Sequence, residues 1–236
     1  MSVNNIYQYS VLSALLYGIC QQGSTVQTIL SKGDHGLGTV SGLNGELVII
    51  DGEAYHFPSN GKLRKVHGSD IVPFTMVTRF QPTFTKTLPS LTFGLLQQEL
   101  SPLLPSKQNC FLSVRIEALF QHIVCRVIAC QTVPHESLGE LAKRQHMHNM
   151  DNMQGTLFGF WSPAFSGGFS VPGFHLHFLS EDRSQGGHVI GFEAQNIQLE
   201  AAVIGEYQIE LPGHEEFNQD VIANVAEEEL KKAQGA

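Results

Sequence analysis

A sheet-rich fold with only a few helices is what this 236-residue sequence predicts, and three observations carry that expectation. Its 23 glycines and 15 phenylalanines are spread through short alternating segments, the pattern of half-buried strands and tight turns. Hydrophobic residues make up 42% against 15% charged, so the chain can bury a core and disorder is not expected. Finally, Asp51-Gly52 separates Gly45–Ile50 from Glu53–Phe57, and this dipeptide supplies the two positive-φ positions of a two-residue hairpin turn. The length suits one large domain or two small ones.

Taken in order, residues 6–31 read as helical. Leu12, Leu15, Leu16 and then Val26, Ile29 and Leu30 recur at three- and four-residue spacing, broken around Gly23. A glycine-rich segment, Gly33 to Gly38, leads into the hairpin, and Asn60-Gly61 marks the next turn. A strand is expected over Ile71 to Phe80 and a helix over residues 91–100. The Pro102 to Pro105 region is the candidate domain junction. Two strands follow, Phe111–Leu119 and Ile123–Val133, and then a helix from Glu136 to Met147, with Lys143 and Arg144 toward its C-terminal end. The remainder reads as strand and turn until a closing helix over Val221 to Ala233.

Charge and cysteine usage exclude several classes. The formal net charge is −8 with only 14 Lys and Arg, and no basic run could release counterions from a nucleic acid. Cys20, Cys110, Cys125 and Cys130 contain no C-x-x-C pair, which suits reduced thiols in a cytoplasmic protein. The apolar stretch from Val11 to Ile19 lacks a basic flank and is too short to cross a bilayer. A soluble, non-exported protein is expected.

The strongest chemical signal is Gly173-Phe174-His175-Leu176-His177-Phe178-Leu179, followed by a polar, glycine-ended loop and then His188. In a strand, side chains two apart share a face, so His175 and His177 project together. A hairpin pairing His177 with His188 puts His175 opposite Ile190 and brings all three imidazoles to one face. Directly opposed Cβ atoms lie roughly 4.5–5.5 Å apart, close enough for two imidazoles to reach one ion at about 2.0–2.1 Å. Three neutral imidazoles leave coordination positions open, as in a catalytic site. Zinc is the first choice, with iron, manganese or another divalent ion also accepted. His146-Met147-His148 is a second His-x-His, but it falls at the end of a predicted helix. There, residues two apart point roughly 200° away from each other.

The runs Gly155-Thr156-Leu157-Phe158-Gly159-Phe160-Trp161-Ser162-Pro163 and Val171 to Arg183 resemble the signature of the α-acetolactate decarboxylase family. So do Gly36-Leu37-Gly38-Thr39-Val40, Leu43 to Leu47 and Asp51-Gly52. The resemblance covers nearly the whole chain from about residue 7. It implies an α+β protein of two β-sheet-rich domains, mixed and antiparallel, with a few helices and the metal site between them. An N-terminal domain, 1–105, would supply Thr39 and Glu46. A C-terminal domain, 106–236, would carry the histidine hairpin, its tail returning to the site. The resemblance further implies conversion of 2-acetolactate to acetoin and carbon dioxide. It assigns the metal to His175, His177 and His188, and active-site roles to Thr39, Glu46 and Arg126. One departure stands out: the family's C-terminal glutamate, a candidate proton donor, aligns with Gln234, which cannot ionise. Either Glu46 takes over its role, or one of Glu227, Glu228 and Glu229 substitutes, or activity is reduced.

Loss of carbon dioxide from such a substrate leaves an electron pair to delocalise as an enediolate, and a divalent cation would stabilise that charge. Arg126, in a predicted strand beside Val124 and Ile128, would orient substrate through its rigid donor fork, unless it merely pairs with Glu117. Glu46 would hold a proton if partly buried, and is otherwise a solvated turn residue. Thr39 would fix a water or a substrate oxygen. The expected partner is therefore a small 2-hydroxy-3-keto acid, with neither nucleic acid nor membrane, and a homodimer is admitted as an assembly. Two rivals stand beside this reading. One is a cupin-like metal-binding oxygenase or sensor, and the other a catalytically weakened family member.

Overall fold

The computed structural model describes residues 2–59, 62–104 and 109–222. Up to residue 92 the chain contributes Asn5–Tyr9 (β1), Ser24–Thr25 (β2), His35–Thr39 (β3), Glu46–Ile50 (β4), Glu53–Phe57 (β5), Arg64–Lys65 (β6), Ile71–Val72 (β7), Phe74–Thr78 (β8) and Phe84–Thr92 (β9). After it come Leu112–Val127 (β10), His146–Ser162 (β11), Gly173–Ser180 (β12), Gly186–Val203 (β13) and Glu206–Glu210 (β14). The helices are short: Leu12–Leu16 (α1), Val26–Lys32 (α2), Leu96–Glu99 (α3), Leu138–Ala142 (α4) and Glu215–Asn218 (α5). This is the expected α+β, sheet-dominated class.

The first sheet runs β14-β1-β8-β3-β4-β5-β6 and is mixed, because β1 and β14 lie parallel. The second, β10-β11-β12-β13-β9, is antiparallel, and β10 also pairs with β13, so four strands close on themselves. The sheets interleave along the chain. β9 precedes the expected junction at residue 105 yet pairs with β13, and β14 follows it yet pairs with β1.

One apolar cluster lies between the sheets, with Val48, Ile50 and Phe57 meeting Phe158, Phe160 and Leu179, and α1 closing one side. A second fills the curled sheet around Phe120, Phe178 and Phe192. In a third, Val26 and Ile29 of α2 pack behind the first sheet on Leu47, Ile49 and Val77.

Several elements differ from expectation. Residues 5–9 are a strand: the Tyr7-Gln8-Tyr9 run buries both faces, and Ser10 at φ 66° breaks the chain before α1. Pro73 splits the expected 71–80 strand into β7 and β8, since proline cannot donate to a ladder. The 91–100 helix shrinks to α3, because Leu91 and Thr92 still pair with β13. The two strands expected over 111–133 are one, β10, which ends at Val127 and leaves 128–133 outside any strand; its polar centre is absorbed by register shifts around Glu117–His122. The helix expected to reach Met147 stops at Ala142, and His146 already opens β11. The closing helix lies almost wholly outside the described residues, as do Gln234 and Glu227 to Glu229.

Candidate active site

The histidine hairpin forms with the expected register: Leu179 faces Gly186, Phe178 faces Gly187 and His177 faces His188. The pairing stops there and does not continue to Ile190. Beyond it β12 stays with β11, where His175 faces Phe160, while β13 runs on beside β10, where His188 faces Arg126. The rings still converge, with centroids 5.2 Å apart for His175–His177, 4.9 Å for His175–His188 and 5.4 Å for His177–His188. One nitrogen from each lies within 4.8 Å of the others.

Two glycines make this approach feasible. A Cβ on Gly159 would lie 2.0 Å from the His175 carbonyl oxygen, so β11 can press against β12 only with glycine there. Gly187, at φ 142°, sits beneath the Arg126 carbonyl, 2.8 Å from where its own Cβ would be.

All three rings are buried. Desolvation pushes the His177 imidazolium down to about 3 and those of His175 and His188 well below the ordinary range, and the Arg126 charge adds to each shift. The rings are therefore neutral at physiological pH, the form in which an imidazole can bind a metal. His177 donates its Nδ1–H to the Leu47 carbonyl of the first sheet at 2.8 Å, which fixes the tautomer and leaves the Nε2 lone pair free. That Nε2 and His175 Nδ1 are buried without a hydrogen-bond partner among the described residues. Such orphaned nitrogens are costly unless something binds them. The donor set fits a divalent cation with open positions.

Glu46 and Arg126 stand beside the rings. Glu46, the first residue of β4, is buried, and its Oε1 accepts the Ile128 N–H at 3.2 Å. Burial pushes its carboxyl up to about 7, against the opposing pull of Arg126 and of that N–H. Its Oε2 lies 3.5 Å from His177 Nε2, and with the ring neutral this contact is not an ion pair. Arg126 is 5% exposed. The expectation that it might pair with Glu117 fails, for Glu117 bonds Arg115 at 2.6 Å. The Thr39 hydroxyl donates to the Gly45 carbonyl at 2.7 Å, bracing the turn that delivers Glu46. Thr39, Glu46, Arg126, His175 and His188 all line one cavity, with residues of both sheets in its wall.

Sequence reasoning missed the apolar part of that wall, Leu12, Leu15 and Leu16 from α1, Phe74 and Leu138. It missed the Leu47 carbonyl and also Gln145, whose Oε1 accepts from Arg126 Nη1 at 3.2 Å. Nothing in the sequence marks these positions, because each acts through tertiary contact. The ground for setting aside His146-Met147-His148 also fails, since both histidines lie on β11 and share a face. They are exposed, and among the described residues His175, His177 and His188 are the one group of three or more such side chains able to meet at one ion.

Residues 6–224 match the model of the alpha-acetolactate decarboxylase family. The chain belongs to that family. It is 33% identical over 232 residues to the alpha-acetolactate decarboxylase of Brevibacillus brevis, covering 98% of this chain and 81% of the relative. With that of Bacillus subtilis strain 168 it shares 34% identity over 216 residues, 91% of this chain and 84% of the relative. The crystal structure of the alpha-acetolactate decarboxylase from that strain superposes with a TM-score of 0.93 at 32% identity, covering 98% of this chain and 100% of the other. A Staphylococcus aureus protein described as similar to alpha-acetolactate decarboxylase gives 0.92 at 27% identity, covering 98% and 99%. Family membership over nearly the whole length removes the ground for a cupin-like barrel. Among the described residues, no helix of this family member is long and apolar enough to cross a membrane.

Proposed function

We propose that this chain decarboxylates 2-acetolactate to acetoin and carbon dioxide, with a divalent cation, zinc first, held by His175, His177 and His188. The carrying observation is that three buried neutral imidazoles converge beside Glu46 and Arg126, and that His175 and His188 line one cavity with both of them. Bound there, the cation would supply Lewis-acid stabilisation of the negative charge that develops on the substrate's oxygens.

The remaining tasks fall to the chain itself. Arg126 draws in the anionic substrate and orients it, and its help has to be greater in the transition state than for the leaving carboxylate. The leucines of α1, with Phe74 and Leu138, keep water away from a group that turns from a charged carboxylate into neutral carbon dioxide. Decarboxylation leaves an enediolate that must be protonated on one face. Among the described residues Glu46 is the one carboxyl lining the cavity, and its raised affinity for protons lets it hold one near neutrality. Thr39, its hydrogen committed to Gly45, can still accept a hydrogen bond from the substrate hydroxyl. The four free cysteines support a cytoplasmic setting.

The test is acetoin formation from acetolactate without dioxygen, alongside metal analysis of the purified protein. A chelator should abolish turnover and zinc should restore it. Full activity in His177→Ala would end this assignment. The weakened-member reading, motivated by Gln234, predicts an inactive parent and turnover gained by Gln234→Glu.

A further inference from the structure

Arg126 is a buried cation whose one described hydrogen-bond partner is neutral. Its Nη1 donates to Gln145 Oε1 at 3.2 Å, and its Nε has no acceptor among the described residues. Buried arginines are ordinarily matched by a carboxylate. Gln145 lies in the turn that follows α4, its own N–H bonding the Ala142 carbonyl at 3.4 Å. The turn is closed by Lys143 N–H to the Glu140 carbonyl at 3.2 Å and Arg144 N–H to the Leu141 carbonyl at 2.9 Å. Arg144 is pinned in turn by Glu136 at 2.5 Å. The helix before that turn sends Leu138 into the cavity wall, so one short segment, 138–145, both walls the site and contacts its cation.

We propose that Gln145 is a positioning residue that orients Arg126 through a neutral acceptor, leaving the guanidinium's other donors for the carboxylate of an anionic substrate. The inference rests on the decarboxylase reading. An amide oxygen gives the guanidinium direction without cancelling its charge, whereas a carboxylate in the same place would compete with the substrate for it. Glu46 lines the same cavity and acts on Arg126 through its charge, but no hydrogen bond joins the two among the described residues, so an incoming carboxylate can occupy the donors that the fold leaves open.

Gln145→Glu is the discriminating variant, because it keeps the shape and the acceptor. If Gln145 only braces the fold, this variant should bind substrate normally, since its hydrogen bond to Arg126 is at least as strong. Our expectation is instead a KM for acetolactate raised about tenfold or more, with an unchanged metal content and a thermal midpoint no lower than the parent's. A folded Gln145→Glu with parental KM overturns the proposal. Should that variant not fold, Gln145→Met is read in its place. It is expected to lower kcat/KM by about tenfold or more, and a parental value overturns the proposal. If the parent turns over no acetolactate, the functional reading fails by itself. Calorimetric binding of the unreactive 2-hydroxy-2-methylpropanoate then decides, with weaker binding to Gln145→Glu supporting the inference and equal binding refuting it.

Discussion

His175, His177 and His188 are neutral in the fold and chargeable once the chain unfolds, and this couples the stability of the metal-free protein to pH. Their folded pKa values lie below the ordinary 6.5. The stability they permit is therefore fully present above that value and lost as pH falls beneath it. Each imidazole contributes a slope of up to about 1.4 kcal/mol per pH unit. Glu46 acts in the opposite sense: its folded pKa is raised from 4.5 to about 7, so its contribution fades as pH rises through that window. Three groups outweigh one, and the thermal midpoint of the metal-free protein should drop steeply on acidification below 6.5. Replacing His188 with Asn should flatten that drop, and an equal slope in parent and variant would contradict the neutral, buried trio. At this scale the sequence is informative about which histidines converge and poor about their supports. An alternating His-x-His can be read from a strand rule, whereas the partnership of Arg126 with Gln145 or of His177 with the Leu47 carbonyl exists only after distant segments pack.

Elements follow the same division. Hairpins were legible wherever turn chemistry is local: Asp51 at φ 52° and Gly52 at φ 77° make the expected turn between β4 and β5. Between β12 and β13 the polar loop is held by Ser180 N–H bonding to the Gln185 carbonyl at 2.9 Å. Helices are shorter than apolar spacing predicts, because Ile6 to Tyr9, just before α1, form a strand whose tyrosines favour a pleated surface. Apolar periodicity likewise carries the predicted helix past Ala142 to His146, which the fold places on β11. The glycine-dependent contact of β11 with β12 gives a test at this scale. Gly159→Ala would drive a methyl group into the His175 backbone and should displace that ligand. Zinc affinity measured by competition with a chromogenic chelator should fall by about 10–100-fold. Unaltered affinity would mean that the strands separate without disturbing the ring.

For the molecule as a whole, class and sheet character could be read from composition and alternation, but the path of the chain between the sheets could not. Long-range pairing leaves no local signature when each strand is simply apolar and short. The histidine trio sits in one sheet, its support includes the Leu47 carbonyl of the other, and the cavity wall draws on both. The two sheets thus hold each other's working parts, and the exchange of β9 and β14 extends this to the backbone. A gene cut near residue 105 would produce two polypeptides, each carrying one strand that the other requires. Expressed singly, both should be insoluble or proteolytically labile, whereas coexpression should recover a stable, zinc-retaining complex. Such an outcome would make the interleaved strands, not either half of the chain, the unit that folds.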